Sequence, residues 1–166
     1  SKAATAELMR QADLVVATGS QANVRMAYTS GTPAFGVGAG NVASIIDSSA
    51  SLDDAAAKIE RSKTFDNATS CSSENSVVLV DAVYERMIAA LKGQGAVLLD
   101  AAQKAALQRL MWPDGKLSAR AIGQSAAAIA RSAGLEQLGT PRVLMVEESG
   151  VGPEHPFSGE KLSPVL

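Results

Sequence analysis

Cysteine is almost missing from this 166-residue chain, which carries one, Cys71. That scarcity excludes an internal disulfide framework and a cysteine-based zinc site, so no metal is expected, and it fits a reducing cytoplasm. Histidine is equally scarce. His155 is the only partner available for a Cys–His catalytic pair, and it stands between Pro153 and Pro156 in a stretch that reads as a surface loop. Charge is sparse as well: charged residues make up 19%, the net charge is −2, and no run of Lys and Arg stands out. An electrostatic nucleic-acid surface is therefore not expected, and a 46% hydrophobic content argues against disorder. No apolar run approaches the ~20 residues a membrane-spanning helix needs, and "SKAATAELMRQ" lacks the apolar centre of a signal peptide. The residues describe a globular chain without a membrane or nucleic-acid partner, long enough for one domain or parts of two.

What is present alternates between strand and helix. A helix over 5–12 is followed by "DLVVAT", which reads as a buried strand, then by Gly19 and by Ser20 as N-cap of a helix through Tyr28. "PAFGV" and "ASIID" are short strands, and Ser51 is placed to cap a helix over 52–65 whose Leu52, Ala55, Ala56, Ile59 and Ser62 share one face. "SVVLV" reads as a strand buried on both faces, "VYERMIAALK" as an amphipathic helix, and "AVLLD" as a further strand. Helices over 101–111 and 122–134 follow, the second closed by Gly134, and "RVLMVEE" is the last strand. This order predicts an α/β fold with a mostly parallel sheet flanked by helices. No internal repeat or low-complexity tract interrupts it.

Three places carry chemical potential. "VVATGS" runs a strand into Thr18, Gly19 and Ser20 and then a helix, an arrangement that turns backbone N–H groups toward a phosphate or carboxylate. An ordinary strand-to-helix turn has the same spacing. "GVGAGN", with Gly38 second, resembles a Gly-x-Gly dinucleotide loop, but its third glycine comes too early, and by spacing alone a tight connection between two strands is the better reading. Cys71 is the third. A lone cysteine is usually a small buried hydrophobe, yet Asn67, Thr69, Ser70, Ser72 and Ser73 make a poor apolar lining. A thiol at the end of a polar loop, just before a strand, suits a nucleophile for acyl transfer.

Taken in order, these sites resemble the aldehyde dehydrogenase superfamily, and within it the CoA-acylating branch. The resemblance runs through "ELMRQADLVVATGSQANVRMAYTSGTPAFGVGAGN", "SKTFDNATSCSSENSVVLVDAVYE", "AIGQSAAAIARSAG" and "PFSGEKLSPVL", nearly the whole chain. It implies an aldehyde dehydrogenase-like α/β fold, with 1–40 the tail of the nucleotide-binding domain and 41–166 the beginning and middle of the catalytic domain. Cys71 would be the catalytic nucleophile. Thr18, Gly19, Ser20 and Gly38 would lie against NAD or NADP, and Glu160 would hold the nicotinamide ribose. The chain opens in a helix and stops directly after an apolar pair, so an excerpt from something longer is expected, with uncovered sheet edges that favour a homo-oligomer.

One departure bears on the acceptor. Hydrolytic relatives have Glu-Leu-Gly-Gly-Lys where this chain has Val37-Gly38-Ala39-Gly40-Asn41, and their glutamate activates water. Val37 takes no proton, and a positioned base is typically worth ~10²–10⁴ in rate. Coenzyme A, whose thiol ionises more readily, is the acceptor this substitution favours, which gives acyl-CoA as product. Two other readings fit the same residues: a non-catalytic nucleotide-binding or assembly module, and a relative that reduces an acyl phosphate without CoA.

Overall fold

Every strand pairing in the computed structural model, which describes residues 1–166, is parallel. The residues fall into two units, Ser1–Gly40 and Asn41–Leu166.

The first unit is α1 (Lys2–Gln11), β1 (Val15–Thr18), α2 (Gln21–Tyr28) and β2 (Ala34–Val37). Helix α1 starts earlier than its apolar spacing suggests, because the Ser1 hydroxyl accepts the Ala4 N–H at 3.3 Å. β1 and β2 pair from Val15 with Ala34 to Thr18 with Val37. Val15, Ala17 and Ala27 form the small core with Met9, Ala12 and Ala34. β1 was expected to be buried throughout; instead it alternates, with Val16 and Thr18 exposed. The helices cover one face of the pair, which leaves Phe35 and Val37 open on β2.

The second unit contains β3 (Val42–Ile46), α3 (Leu52–Thr64), β4 (Glu74–Leu79), α4 (Tyr84–Gly93), β5 (Ala96–Leu98), α5 (Ala101–Met111), α6 (Ala126–Ser132) and β6 (Val143–Met145). β3 pairs with β4, β5 pairs with β6, and Leu144 also bridges to Val165. β6 is buried on both faces, as a central parallel strand should be. Its alternating side chains divide the core. Val143 and Met145 join Ile46, Ala56, Ile59 and Met87, whereas Leu144 joins Leu107, Met111, Ile129 and Phe157. β4 is not buried on both faces as the apolar run predicts: α3 and α4 pack one side of the β3–β4 pair, while Ile45 and Val78 stand exposed on the other.

Two helix expectations change. α6 begins at Ala126 rather than Ile122, because Gly123 turns the chain at φ +67° and Ser125 caps the helix. Gly134 does close it in the left-handed region, with the Leu135 N–H donating back to the Ala130 carbonyl at 2.9 Å. α3 starts at the expected residue, but the Ser51 side chain makes no capping bond. Its buried face runs through Leu52, Ala56, Ile59 and Lys63 rather than Ser62.

Candidate active site

Cys71 stands exposed in the Ser70–Ser73 turn, which the Ser73 N–H closes onto the Ser70 carbonyl at 3.1 Å. The polar residues before it fasten that turn. Beyond α3, Asp66, Asn67 and Ala68 take φ of 47°, 50° and 56° in succession, left-handed backbone that Asp and Asn tolerate but that costs a residue such as alanine ~1–2 kcal/mol. The Thr69 hydroxyl donates to the Asp66 carboxylate at 2.6 Å, and the Asn67 side-chain amide donates to the Gly123 carbonyl at 3.0 Å. Gly123 donates in turn to the Leu162 carbonyl at 2.9 Å. The left-handed run, the loop before α6 and the segment after Glu160 are thus joined through one chain of hydrogen bonds.

Two buried lysines secure the start of β4. Lys63 donates to the Glu74 carbonyl at 2.7 Å. Burial pushes its pKa down to about 8, against the pull of the Glu74 carboxylate. Glu74 Oε2 is itself buried with no hydrogen-bond partner. Lys161 donates to the carbonyls of Asn75, Phe157 and Gly159 at 2.6, 2.7 and 3.0 Å, while its own N–H donates to Asn75 Oδ1 at 3.0 Å. Burial, and then the charge of Lys63, push the Lys161 pKa down to about 7. Half-buried Glu160 is therefore held beside a lysine anchored on the strand that leaves the Cys71 turn.

In the first unit, Thr18, Gly19 and Ser20 are all exposed. Gly19 has φ +105°, its N–H donates to the Val37 carbonyl at 3.2 Å, and nothing lies within 4 Å of where a Cβ would project. The Ser20 hydroxyl caps α2 by accepting the Asn23 N–H at 3.3 Å. Gly38 follows β2 directly, and a Cβ there would come within 2.5 Å of the Gln21 side-chain nitrogen. The pairing of Thr18 with Val37 thus gathers all four residues at one end of the β1–β2 ladder. An open glycine turn at the head of a helix suits a phosphate or carboxylate.

His155 lies on a loop, as expected, and it is engaged there: its Nδ1 meets Glu148 Oε1 at 2.8 Å. Burial acts to raise the Glu148 pKa, but His155, the Ser149 N–H and Lys104 together bring it below the ordinary value. A cleft of about 660 Å³ between β4 and the segment after β6 has Asn41, the end of the GVGAGN stretch, in its wall, but not Cys71 or Glu160. A smaller hollow of about 410 Å³ has Ser70 and Ser72, the neighbours of Cys71, in its wall. Lys63, Lys161 and Gly123 were missed. Lys63 was legible in the helical phase set by Leu52, Ala56 and Ile59; Lys161 and Gly123 carry no such signal.

An α/β fold of parallel strands with a thiol raised on a fastened turn defines a class, and the chain is homologous along its whole length to one segment of the acylating aldehyde dehydrogenases. It is 73% identical over 168 residues to a sulfoacetaldehyde dehydrogenase (acylating) of Cupriavidus necator, covering 100% of this chain and 34% of that protein. The crystal structure of an acetylating aldehyde dehydrogenase from Geobacillus thermoglucosidasius superposes with a TM-score of 0.95 at 42% identity, over 100% of this chain and 37% of that one. The propionaldehyde dehydrogenase of Rhodopseudomonas palustris, solved with bound CoA and an acylated cysteine, matches 99% of this chain and 38% of its own, with 26% identity and a TM-score of 0.85. The chain thus spans about a third of the length of these relatives. No protein-family model matches it.

Proposed function

We propose that this chain supplies the nucleophile and part of the cofactor contact of a longer NAD(P)-dependent, CoA-acylating aldehyde dehydrogenase, and that its aldehyde is sulfoacetaldehyde. The observation that carries the reading is the exposed Cys71 thiol on a hydrogen-bonded turn, within a chain 73% identical to an enzyme of that name. Residues 1–40 act as the tail of the nucleotide-binding domain, and 41–166 as the beginning and middle of the catalytic domain.

The thiolate of Cys71 adds to the aldehyde carbon, and the oxyanion that forms is held by the Cys71 backbone N–H. The nicotinamide, when bound, supplies the hydride acceptor. Thr18, Gly19, Ser20 and Gly38 would orient it, and the Glu160 carboxylate would accept from its ribose hydroxyl. Loss of hydride leaves an acyl thioester on Cys71. The CoA thiolate then attacks the acyl carbon and the Cys71 thiolate departs, restored for another cycle.

Water competes poorly as the acceptor because Val37 stands where hydrolytic relatives carry their water-activating glutamate and has no titratable group. The need for a free thiol fits a reducing cytoplasm, and uncovered sheet edges fit a homo-oligomer. No helix is long and apolar enough to cross a membrane.

The test is product analysis on the intact enzyme, with and without CoA, alongside Cys71→Ser. Acyl-CoA is expected only with CoA present and Cys71 intact. Equal release of free acid in the absence of CoA, or activity in the serine variant, refutes the reading.

A further inference from the structure

Lys161 spends a buried charge on backbone alone, and the backbone it gathers carries Glu160 on one side and leads back to Cys71 on the other. We propose that Lys161 is a positioning residue, whose ammonium group clamps the Glu160 segment to the strand leaving Cys71 and so sets where the nicotinamide lies relative to the thiol. This rests on the roles proposed for Cys71 and Glu160 and adds the group that holds them in register.

A buried ammonium group is costly unless its N–H donors all find acceptors. Lys161 is 0% exposed, and its three N–H donors are matched by the carbonyls of Asn75, Phe157 and Gly159. Two of those carbonyls lie just before Glu160, so this segment is wrapped around the ammonium group with Glu160 between Gly159 and the lysine itself. The third belongs to β4. Asn75, only 4% exposed, also accepts the Lys161 backbone N–H through Oδ1, so the two residues are joined twice.

The ties bracket the thiol. Asn75 lies four residues after Cys71 and bonds Lys161 directly. Asn67 lies four residues before Cys71 and reaches Leu162 through Gly123, by bonds of 3.0 and 2.9 Å. The Asn41 side-chain amide adds a further tie by donating to the Ser158 carbonyl at 2.9 Å. The segment carrying Glu160 is thus fastened to both flanks of the Cys71 turn. Hydride transfer needs its reacting atoms about 3–3.5 Å apart, and a displacement of about 1 Å can cost ~10²-fold in rate. Without the ammonium group three carbonyls lose a donor and the clamp opens. Stability alone also accounts for a well-bonded buried lysine, so the decisive question is whether its effect passes through Glu160.

The experiment is a double-mutant cycle in the intact enzyme with Lys161→Met, Glu160→Gln and both together. It measures kcat/KM for NAD(P) and the rate at which iodoacetamide alkylates Cys71. Lys161→Met is expected to lower kcat/KM by about tenfold, with the alkylation rate unchanged. In the Glu160→Gln background the same substitution should cost less than about twofold, because the group it positions is already gone. Asn75→Ala removes the side-chain link and keeps the ammonium group, and it gives a milder loss that also disappears in that background; it decides the matter where Lys161→Met does not fold. Losses that add, or an alkylation rate that falls with turnover, overturn the inference and leave the proposed function standing. An unchanged NAD(P) dependence in Glu160→Gln alone overturns both the inference and the role of Glu160, whereas activity in Cys71→Ser defeats the proposed function itself.

Discussion

Asn67 offers the sharpest test of how the Cys71 turn is positioned. It sits in the middle of three successive left-handed residues, at φ 50°, and its side-chain amide donates to the Gly123 carbonyl at 3.0 Å. Asn67→Ala removes that bond, worth ~1 kcal/mol net, and leaves a carbonyl without its donor at a further cost of about 1 kcal/mol. It also replaces a residue that tolerates the left-handed region with one that does not, adding about 1 kcal/mol. The total is about 3 kcal/mol. Asn67→Gly loses the same bond but takes that backbone without a Cβ penalty, so it should be less damaging than alanine by about 1 kcal/mol. This order, glycine milder than alanine, is the reverse of what a helical site would give. Urea denaturation of the three proteins reads the stabilities, and the reaction rate of Cys71 with a disulfide reagent reads the turn itself. If alanine were as stable as the parent, or glycine worse than alanine, the left-handed run and its staple would not be what holds the turn.

The buried lysines predict an unusual pH dependence. Unfolded lysine keeps its proton to about 10.4, whereas Lys63 and Lys161 release theirs near 8 and 7, so the unfolded chain binds more protons in that window and stability should rise with pH. The gain is up to about 1.4 kcal/mol per pH unit for each lysine, and Lys161→Met should remove one share of the slope; a urea midpoint that falls from pH 7 to pH 9 contradicts this. In the core, Met87 is fully buried against the residues of α3 and β6, and Met87→Ala should cost ~2–5 kcal/mol with the urea dependence of unfolding unchanged. A loss under 1 kcal/mol would mean that the site collapses around the missing side chain.

Local chemistry was enough to read much of this protein from its residues. Alternating apolar periods marked the strands and helices, Ser20 and Gly134 marked helix ends, and the polar stretch before Cys71 set its thiol apart from a packing cysteine. The resemblance added names for those positions and the significance of Val37. The period of α3 even carried Lys63 in its buried phase, although a lysine there reads as exposed until an acceptor is known.

Tertiary structure alone decided what each of those polar residues does. Asn67 and Thr69 hold backbone in place rather than lining a cleft, because their acceptors are Gly123, more than fifty residues away in sequence, and Asp66, in a conformation no pattern encodes. Whether a strand is covered on one face or two depends on which helices reach it, so β1 and β4 came out half-open and β6 enclosed. A buried ammonium group is stable only where carbonyls converge on it, as the nearby Phe157 and Gly159 and the distant Asn75 do on Lys161. Sequence periodicity reports the residue's own neighbours along the chain; long-range hydrogen-bond partners are set by packing, and they appear only when the chain is folded.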